Sequence, residues 1–199
     1  MSTDNTPVQN PAVELELLVT NPDKVYRLIN DHTNKLDLPV SVTETVTDLF
    51  RRAYQEMSLS ARGTEIAVAA VTKIACRLHG IARSLGEIAA VSGSDAKLID
   101  REARKIESVT GEYTTPVPVR VYAEHWGDKL GLDQAPQREA IALLGNTNPG
   151  RAPAAAAAGA LWTVLASQDD RDVTQHDIVE ATYTSAYTLR EVQSDINSG

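Results

Sequence analysis

The chain has 199 residues, of which 42% are hydrophobic and only 5% aromatic, and its formal net charge is −8. This length suits two small domains better than one large one, and no apolar run approaches the roughly 20 residues that span a bilayer. Cys76 is the only cysteine, which excludes an internal disulfide and a cysteine-rich zinc site. We therefore expect an intracellular protein with no metal and no other cofactor.

Charge is distributed unevenly along the chain. Residues 51–106 carry a net charge of +4, whereas residues 1–50 carry −5 and residues 107–199 carry −7. The chain has 6 lysines against 13 arginines, and together with the many acidic residues this composition resembles that of a protein from a salt-loving organism. The alternative is ordinary acidic drift. The basic middle segment keeps nucleic acid open as a partner of an acidic protein.

The first half of the chain follows a disordered lead-in predicted over residues 1–22, which has neither the basic nor the apolar part of a secretory signal. Gly80 is placed to end the third helix of this half, and Ser84 with Glu87 forms a capping box for the fourth. Apolar spacing and these end signals predict five helices, Asp23–Leu36, Val42–Met57, Thr64–His79, Ser84–Val91 and Asp95–Val109.

The second half of the chain repeats this plan after a proline-containing linker over residues 111–118. Pro153 suits a first helical turn, and Thr174 with Asp177 forms the matching capping box. The predicted helices are Val119–Leu130, Gln134–Leu144, Pro153–Ser167, Thr174–Thr182 and Ser185–Asn197.

The two halves are copies of one unit. The segment that begins at Ala61 matches the one that begins at Gly150, and from Ser84 onward, which pairs with Thr174, the offset stays at 90 residues. A repeat of this length is large enough for a core of its own. We predict an all-α protein of two tandem five-helix domains, residues 23–110 and residues 119–199.

The alanine run Ala154–Ala158 lies opposite Ile66–Ala70 of the first copy. It is interpreted as part of a buried central helix, whose small side chains let neighbouring helices approach, rather than as low-complexity sequence. Tyr122 and Trp126, four residues apart on one helix, are predicted core residues, and Cys76 is predicted to pack in the first central helix.

These segments resemble the core of archaeal transcription factor B and of its eukaryotic relative, transcription factor IIB. The resemblance is carried by RGTEIAVAAVTKIACRLHGIARSLGEIA in the first copy, by GRAPAAAAAGALW, VTQHDIVEAT and YTLRE in the second, and by LDLP, RRAY and LGLD, over roughly residues 23–197. It implies two cyclin-like domains, in each of which the last two helices form a helix-turn-helix-like pair beside DNA. It also implies promoter DNA and the TATA-binding protein as partners, RNA polymerase indirectly, and a cytoplasmic, nucleoid-associated monomer.

The last helix of each copy supplies the candidate DNA-binding residues. Helix-turn-helix units direct the start of their second helix toward the major groove, and helix N-termini bind phosphate. The candidates are Lys97, Arg101, Arg104 and Lys105 in the first copy and Ser185, Tyr187, Thr188 and Arg190 in the second. The alternative is that the charged members are only solvated surface charges.

A second basic group surrounds the first central helix. The resemblance implies that such residues contact the TATA-binding protein or the DNA backbone, and the sequence does not separate these roles. The group consists of Arg62, Lys73, Arg77 and Arg83, of which Arg77 could instead pair with an internal carboxylate.

The sequence departs from the family pattern in three places. The 22 residues before Asp23 hold no cysteine or histidine for the family's zinc ribbon, so we expect a specialised factor, a regulator or a competitor of the complete factor. In the second copy, Val192 replaces an arginine of the family pattern. Tyr183 occupies a turn position that holds Gly93 in the first copy, so either the turn has another shape or this copy no longer docks on DNA in the same way.

No catalytic motif occurs, and we expect no enzyme. The four histidines, His32, His79, His125 and His176, have no metal-ligand spacing and are interpreted as surface or capping residues. Asp169, Asp170 and Asp172 are interpreted as a solvated loop. Two functional hypotheses remain, a promoter-associated transcription factor and a cyclin-like protein-interaction module that binds no DNA.

Overall fold

A computed structural model describes residues 21–57, 63–146, 150–168 and 173–198. Arg62, the acidic loop at residues 169–172 and residues 1–20 of the predicted lead-in lie outside the described residues. Within the described ranges the chain forms ten α-helices and one short 3-10 helix, and no strand. The predicted all-α fold with five helices in each copy is confirmed.

The helices of the first copy begin and end close to the predicted residues. They are α1 (Pro22–Lys35), α2 (Val40–Glu56), α3 (Thr64–Leu78), α4 (Leu85–Ser92) and α5 (Ala96–Thr110). Gly80 follows α3 with a positive φ of 64°, as predicted for the glycine that ends a helix.

The helices of the second copy also follow the prediction. They are α6 (Val119–Lys129), α7 (Gln134–Leu143), the 3-10 helix Leu144–Asn146, α8 (Pro153–Ala166), α9 (Gln175–Thr182) and α10 (Ala186–Ser198). The Thr174 and Asp177 capping box is present at the start of α9.

The described chain divides into two compact units whose boundary does not follow the repeat. One unit comprises the described residues among 1–75 and 91–113, and the other comprises those among 76–90 and 114–199. The end of α3 and most of α4 therefore group with the second copy.

The first unit is built on α2, which packs on α1 and on α5. Val42, Val46, Leu49, Phe50 and Ala53 are buried on α2, and they alternate at helical spacing with its polar residues. On α3 every residue from 67 to 76 is buried, as predicted for a central helix and for Cys76.

The second unit is built around α8, which packs on α6, α7, α9 and α10. Residues 156–161 of α8 are all buried, which confirms the interpretation of the alanine run as a central helix. Trp126 and Tyr122 lie in the same core, with ring centroids 5.3 Å apart. Ala82, from the segment before α4, belongs to this core as well.

Candidate nucleic-acid interface

Helix α5 has defined ends and one buried face. The Asp95 carboxylate accepts the backbone N–H groups of Lys97 and Leu98 at 2.9 and 3.0 Å, which is a standard N-cap. Gly111 ends the helix in the left-handed conformation with φ 73°. Ile99 and Ile106 are fully buried, so the opposite face of α5 is turned to solvent.

Three of the four predicted basic residues of α5 lie on this solvent face. Lys97, Arg101 and Arg104 are exposed, at positions i, i+4 and i+7 of the helix, so they form one row. Lys97 and Arg101 make no ion pair with any described residue, which leaves both cations available. We call these three residues the basic row. Lys105 is only half-buried, and its Nζ lies 3.5 Å from the buried Glu102 carboxylate.

The third member of the basic row is tied to a buried cation. The Arg104 guanidinium lies 2.5 Å from Asp100 Oδ2, and Lys73 Nζ lies 2.6 Å from Asp100 Oδ1. Burial would raise the pKa of Asp100, but the hydrogen bonds and positive charges of Lys73 and Arg104 hold it below its ordinary value. The Lys73 ammonium is therefore engaged inside the first unit, and the structure does not present it as the surface contact that the sequence predicted.

The other two predicted partner residues are half-buried. Arg83 donates to the backbone carbonyl of Ala82 at 2.7 Å. Arg77 forms no ion pair with a carboxylate in the described part of the chain, so the structure gives no support to the alternative that it pairs internally. Both side chains keep part of their surface exposed.

Helix α10 begins with the predicted serine cap. Ser185 Oγ accepts the backbone N–H of Thr188 at 3.1 Å and lies 2.9 Å from the Thr188 hydroxyl. Tyr187 is 66% exposed and Arg190 is exposed as well. The predicted residues of the second copy are thus grouped at one helix start, but two of their hydroxyls are already bonded to each other.

The exposed face of α10 does not carry the basic row of α5. With the offset of 90 residues, buried Ile99 and Ile106 correspond to buried Leu189 and Ile196, so the two helices present equivalent faces. On these faces Lys97, Arg101, Arg104 and Lys105 correspond to Tyr187, Glu191, Ser194 and Asp195. Each of these four basic residues is therefore replaced by an uncharged or acidic residue in the second copy.

Nearby Arg151 balances part of this acidic face. Its guanidinium lies 2.5 Å from Asp195 and 3.9 Å from Glu191. A hydrogen bond and the positive charge of Arg151 lower the pKa of Asp195. Arg190 is the one basic residue within α10, and we conclude that the electrostatics of α10 differ from those of α5.

The turn before α10 has Tyr183 at the position that Gly93 occupies in the first copy, and the sequence left open whether its shape differs. Tyr183 has φ 54° and Gly93 has φ 63°, so both backbones are left-handed and the turn keeps its shape. Lys129 Nζ lies 5.4 Å from the centroid of the Tyr183 ring, a cation–π contact. A side-chain carbon at Gly86 would lie only 2.8 Å from Tyr183 Cβ, so this glycine makes room for the tyrosine.

The sequence predicts the local capping contact of the buried Glu87 carboxylate but not its contacts with α6. The predicted capping box forms, with Glu87 Oε2 accepting the Ser84 N–H at 2.7 Å. In addition, Glu87 Oε1 lies 3.6 Å from His125 Nε2 and 3.8 Å from Lys129 Nζ of α6. Burial would raise the pKa of Glu87, but hydrogen bonds from His125 and Ser84 and the charges of α6 hold it below its ordinary value.

The partners of Glu87 lie 38 and 42 positions further along the sequence. Periodicity and end signals describe only neighbours within one or two helical turns. The one sequence signal for these long-range contacts is a glutamate in an otherwise apolar helix, since a buried glutamate is almost always paired.

The histidines require one correction. His32 is only 2% exposed, so its interpretation as a surface or capping residue is wrong. Burial lowers the pKa of its imidazole.

Within the described ranges, no group of three or more histidine, cysteine, aspartate or glutamate residues could hold a metal ion. No helix in those ranges is long and apolar enough to cross a membrane.

The sequence matches known proteins over most of its length. Residues 19–107 match the family described as "Transcription factor TFIIB repeat". "Transcription initiation factor IIB 2" of Thermococcus kodakarensis is 30% identical over 161 residues, which cover 78% of this chain and 52% of that protein. "Transcription initiation factor IIB" of Archaeoglobus fulgidus is 32% identical, with 78% and 49% covered.

A eukaryotic relative matches in the same way. "Transcription initiation factor IIB" of Xenopus laevis is 27% identical over 174 residues, with 83% of this chain and 54% of that protein covered. The chain thus spans about half the length of the curated relatives that it matches. A solved viral cyclin from herpesvirus saimiri covers 94% of this chain, with 14% identity and a TM-score of 0.41.

The chain thus combines a duplicated five-helix architecture with similarity to transcription initiation factors over most of its length. Residues 19–107 match the repeat of this family, and the chain is similar to the repeated core of the transcription initiation factor IIB proteins.

Proposed function

We propose that this chain acts in transcription initiation as a IIB-like factor that binds promoter DNA through the basic row of α5 and joins the TATA-binding protein. The observation that carries the proposal is the joint exposure of Lys97, Arg101 and Arg104 on one face of a helix whose other face is buried. Lysine and arginine side chains donate hydrogen bonds to phosphate oxygens and so position a protein on DNA.

Electrostatics support α5 as the main DNA contact. Each phosphate neutralised by lysine or arginine releases counterions, so affinity falls with salt in proportion to the number of contacts. Lys97 and Arg101 have no competing carboxylate among the described residues, and Arg104 remains 75% exposed beside its partner. All three are therefore able to meet phosphate oxygens without first breaking a buried interaction.

We assign a weaker contact to the second copy. Arg190 can meet a phosphate or a base edge, and Ser185, Tyr187 and Thr188 offer hydroxyl groups near the helix start. Glu191 and Asp195 on the same helix oppose phosphate binding, even though Arg151 offsets part of their charge. Charge-reversal of Arg190 is expected to weaken DNA binding less than any single reversal in the basic row.

The TATA-binding protein is the proposed protein partner. Arg77 and Arg83 keep exposed surface and are its candidate contacts, whereas Lys73 is engaged with Asp100. RNA polymerase is reached through this assembly rather than through a site on the described residues.

Fluorescence anisotropy with a labelled TATA-containing duplex tests the proposal. Wild-type chain is titrated with and without the TATA-binding protein, next to a variant with Lys97→Glu, Arg101→Glu and Arg104→Glu. The matched control carries Lys24→Glu, Arg27→Glu and Arg138→Glu, three exposed cations outside α5, and has the same net charge. We expect the partner to promote wild-type binding, the α5 variant to lose it and the control to retain it.

Three outcomes would reject the proposal. Equal loss in both triple variants would show that only net charge matters, not the basic row. Unchanged binding of the α5 variant would remove α5 from the interface, and absence of any wild-type binding would favour a protein-interaction module without DNA.

A further inference from the structure

We propose that Asp100 is a positioning residue for DNA binding, which is anchored by the buried Lys73 and holds the Arg104 guanidinium in place for a phosphate. The inference rests on the proposed DNA contact of α5. It gives Lys73 and Asp100, neither of which would touch DNA, a defined part in that contact.

The carboxylate of Asp100 is shared between a buried and an exposed cation. Its Oδ1 lies 2.6 Å from Lys73 Nζ, and its Oδ2 lies 2.5 Å from Arg104 Nη2. Side-chain exposure rises along this chain of contacts, from 7% at Lys73 through 27% at Asp100 to 75% at Arg104. The three residues therefore connect the interior of the first unit to its basic surface.

Lys73 makes this arrangement more rigid than an ordinary surface pair. A buried ammonium requires a close counter-charge, so Lys73 fixes the orientation of Asp100. An isolated Asp–Arg pair on a helix surface contributes little and exchanges freely with water. With one oxygen held from inside, Asp100 offers Arg104 a fixed acceptor, and less conformational freedom is lost when the guanidinium meets DNA.

The same arrangement removes an electrostatic obstacle. An uncompensated aspartate within the basic row would repel phosphates. Because Lys73 contributes a positive charge directly beneath it, the three side chains together carry a net charge of +1. The lowered pKa of Asp100 agrees with a carboxylate that stays ionised between two cations.

The second copy lacks this arrangement at the equivalent positions. Asp100 corresponds to Arg190 and Arg104 corresponds to Ser194. The acceptor and the arginine that it holds are thus both absent from α10, the helix that also lacks the basic row.

The proposal predicts a change in DNA affinity opposite in sign to that of simple electrostatics. If Asp100 were only an acidic residue near phosphates, its removal would strengthen binding. If it positions Arg104, its removal weakens binding even though a negative charge is lost. Lys73→Met combined with Asp100→Asn avoids a buried unpaired ammonium. Because it leaves the net charge unchanged, simple electrostatics predicts no loss of binding for this variant, whereas the positioning role predicts a loss.

A double-mutant cycle measures this effect. Anisotropy titrations in the presence of the TATA-binding protein compare wild type, K73M/D100N, Arg104→Gln, and the combination of all three changes. We expect K73M/D100N to weaken DNA binding by about three- to tenfold, the range for one ordinary hydrogen bond, because Arg104 loses its fixed position but not its charge. In the Arg104→Gln background the same pair should cause no further loss.

A readout without DNA separates this inference from the proposed function. Heteronuclear NOE measurements on the Arg104 Nε–H group report its fast motion, and urea unfolding verifies that K73M/D100N is folded. We expect an ordered Arg104 side chain in the wild type and a mobile one in the variant.

Each outcome has a definite meaning. Affinity of K73M/D100N equal to or above that of wild type, or a loss fully additive with that of Arg104→Gln, overturns the positioning role. An Arg104 side chain that is equally mobile in both proteins also overturns it, whatever the DNA affinity. Absence of wild-type DNA binding overturns the proposed function itself, and with it any role of Asp100 in DNA contact.

Discussion

Two capping residues at equivalent positions have different environments. Glu87 and Asp177 both accept a backbone N–H from the residue three positions earlier. Glu87 is buried beside His125 and Lys129, whereas Asp177 lies in an exposed cap. The same sequence signal therefore marks a long-range electrostatic contact in one copy and a purely local cap in the other.

Glu87→Gln is expected to lower the free energy of unfolding at pH 7 by about 1–3 kcal/mol, since a charge-assisted contact is replaced by a neutral one. The pKa of Glu87 is lowered on folding, so its contribution is present above the ordinary value of 4.5 and is lost as the pH falls through the folded value. The difference between wild type and variant should therefore shrink toward pH 3. Urea unfolding at both pH values measures it.

Asp177→Asn serves as the matched control. Its cap is local and exposed, so it should cost less stability than Glu87→Gln at pH 7. An equal or greater loss in Asp177→Asn would contradict the special role assigned to the Glu87 environment.

Tyr183 has a strained backbone conformation. Left-handed φ values cost a residue with a side chain roughly 1–2 kcal/mol, and Tyr183 has φ 54°. Tyr183→Ala removes the ring but keeps this strain, whereas Tyr183→Gly removes both. We expect the glycine variant to be more stable than the alanine variant by about 1 kcal/mol in thermal or urea unfolding. Equal stabilities would show that the backbone there carries no strain.

At the level of helices, the sequence predicts most of the structure. All ten observed helices begin and end within two residues of the predicted ones, because caps, glycines and apolar spacing act within a helical turn or two. The burial of the alanine run in α8 was also predicted from its place in the repeat. What the sequence could not supply is the pairing of charges between helices, as in Lys73 with Asp100 and Glu87 with His125.

Close packing of α8 on α10 depends on Gly159. A side-chain carbon at Gly159 would overlap the Val192 side chain of α10. Gly159→Ala should therefore destabilise the protein by about 1–3 kcal/mol, despite the higher helix propensity of alanine. Chemical denaturation measures the loss.

Val192→Ala provides the compensating change. It removes the atoms that the new methyl group would meet, so Gly159→Ala combined with Val192→Ala should be less destabilised than the sum of the single variants. Strict additivity would indicate that the two residues do not contact each other.

For the whole molecule, the sequence repeat and the compact units do not coincide. Residues 76–90 belong to the first copy by sequence but group with residues 114–199 in space. Ala82 lies in the core of the second unit, and Glu87 is paired with α6. A sequence repeat defines equivalent elements, but only tertiary contacts decide which core each element joins.

Native-state hydrogen exchange tests this grouping. Amides of α4 that are buried with the second unit should open with the free energy of α6 and α8 rather than with that of α1 and α2. Glu87→Gln should accelerate exchange in α4 more than in α2. Exchange of α4 together with α1 and α2 would contradict the grouping.

The central claim is that α5 makes the main DNA contact and α10 a weaker one, and site-specific cross-linking tests it most directly. Ser108 and Ser198 are exposed serines at equivalent positions of the two helices, and neither is a proposed contact. Cys76 is buried, and burial raises the pKa of its thiol to about 12. A photoreactive reagent should therefore label Ser108→Cys or Ser198→Cys selectively. With the TATA-binding protein and promoter DNA present, we predict a strong cross-link from position 108 and a weak one from position 198, whereas a strong cross-link from position 198 alone would contradict the account.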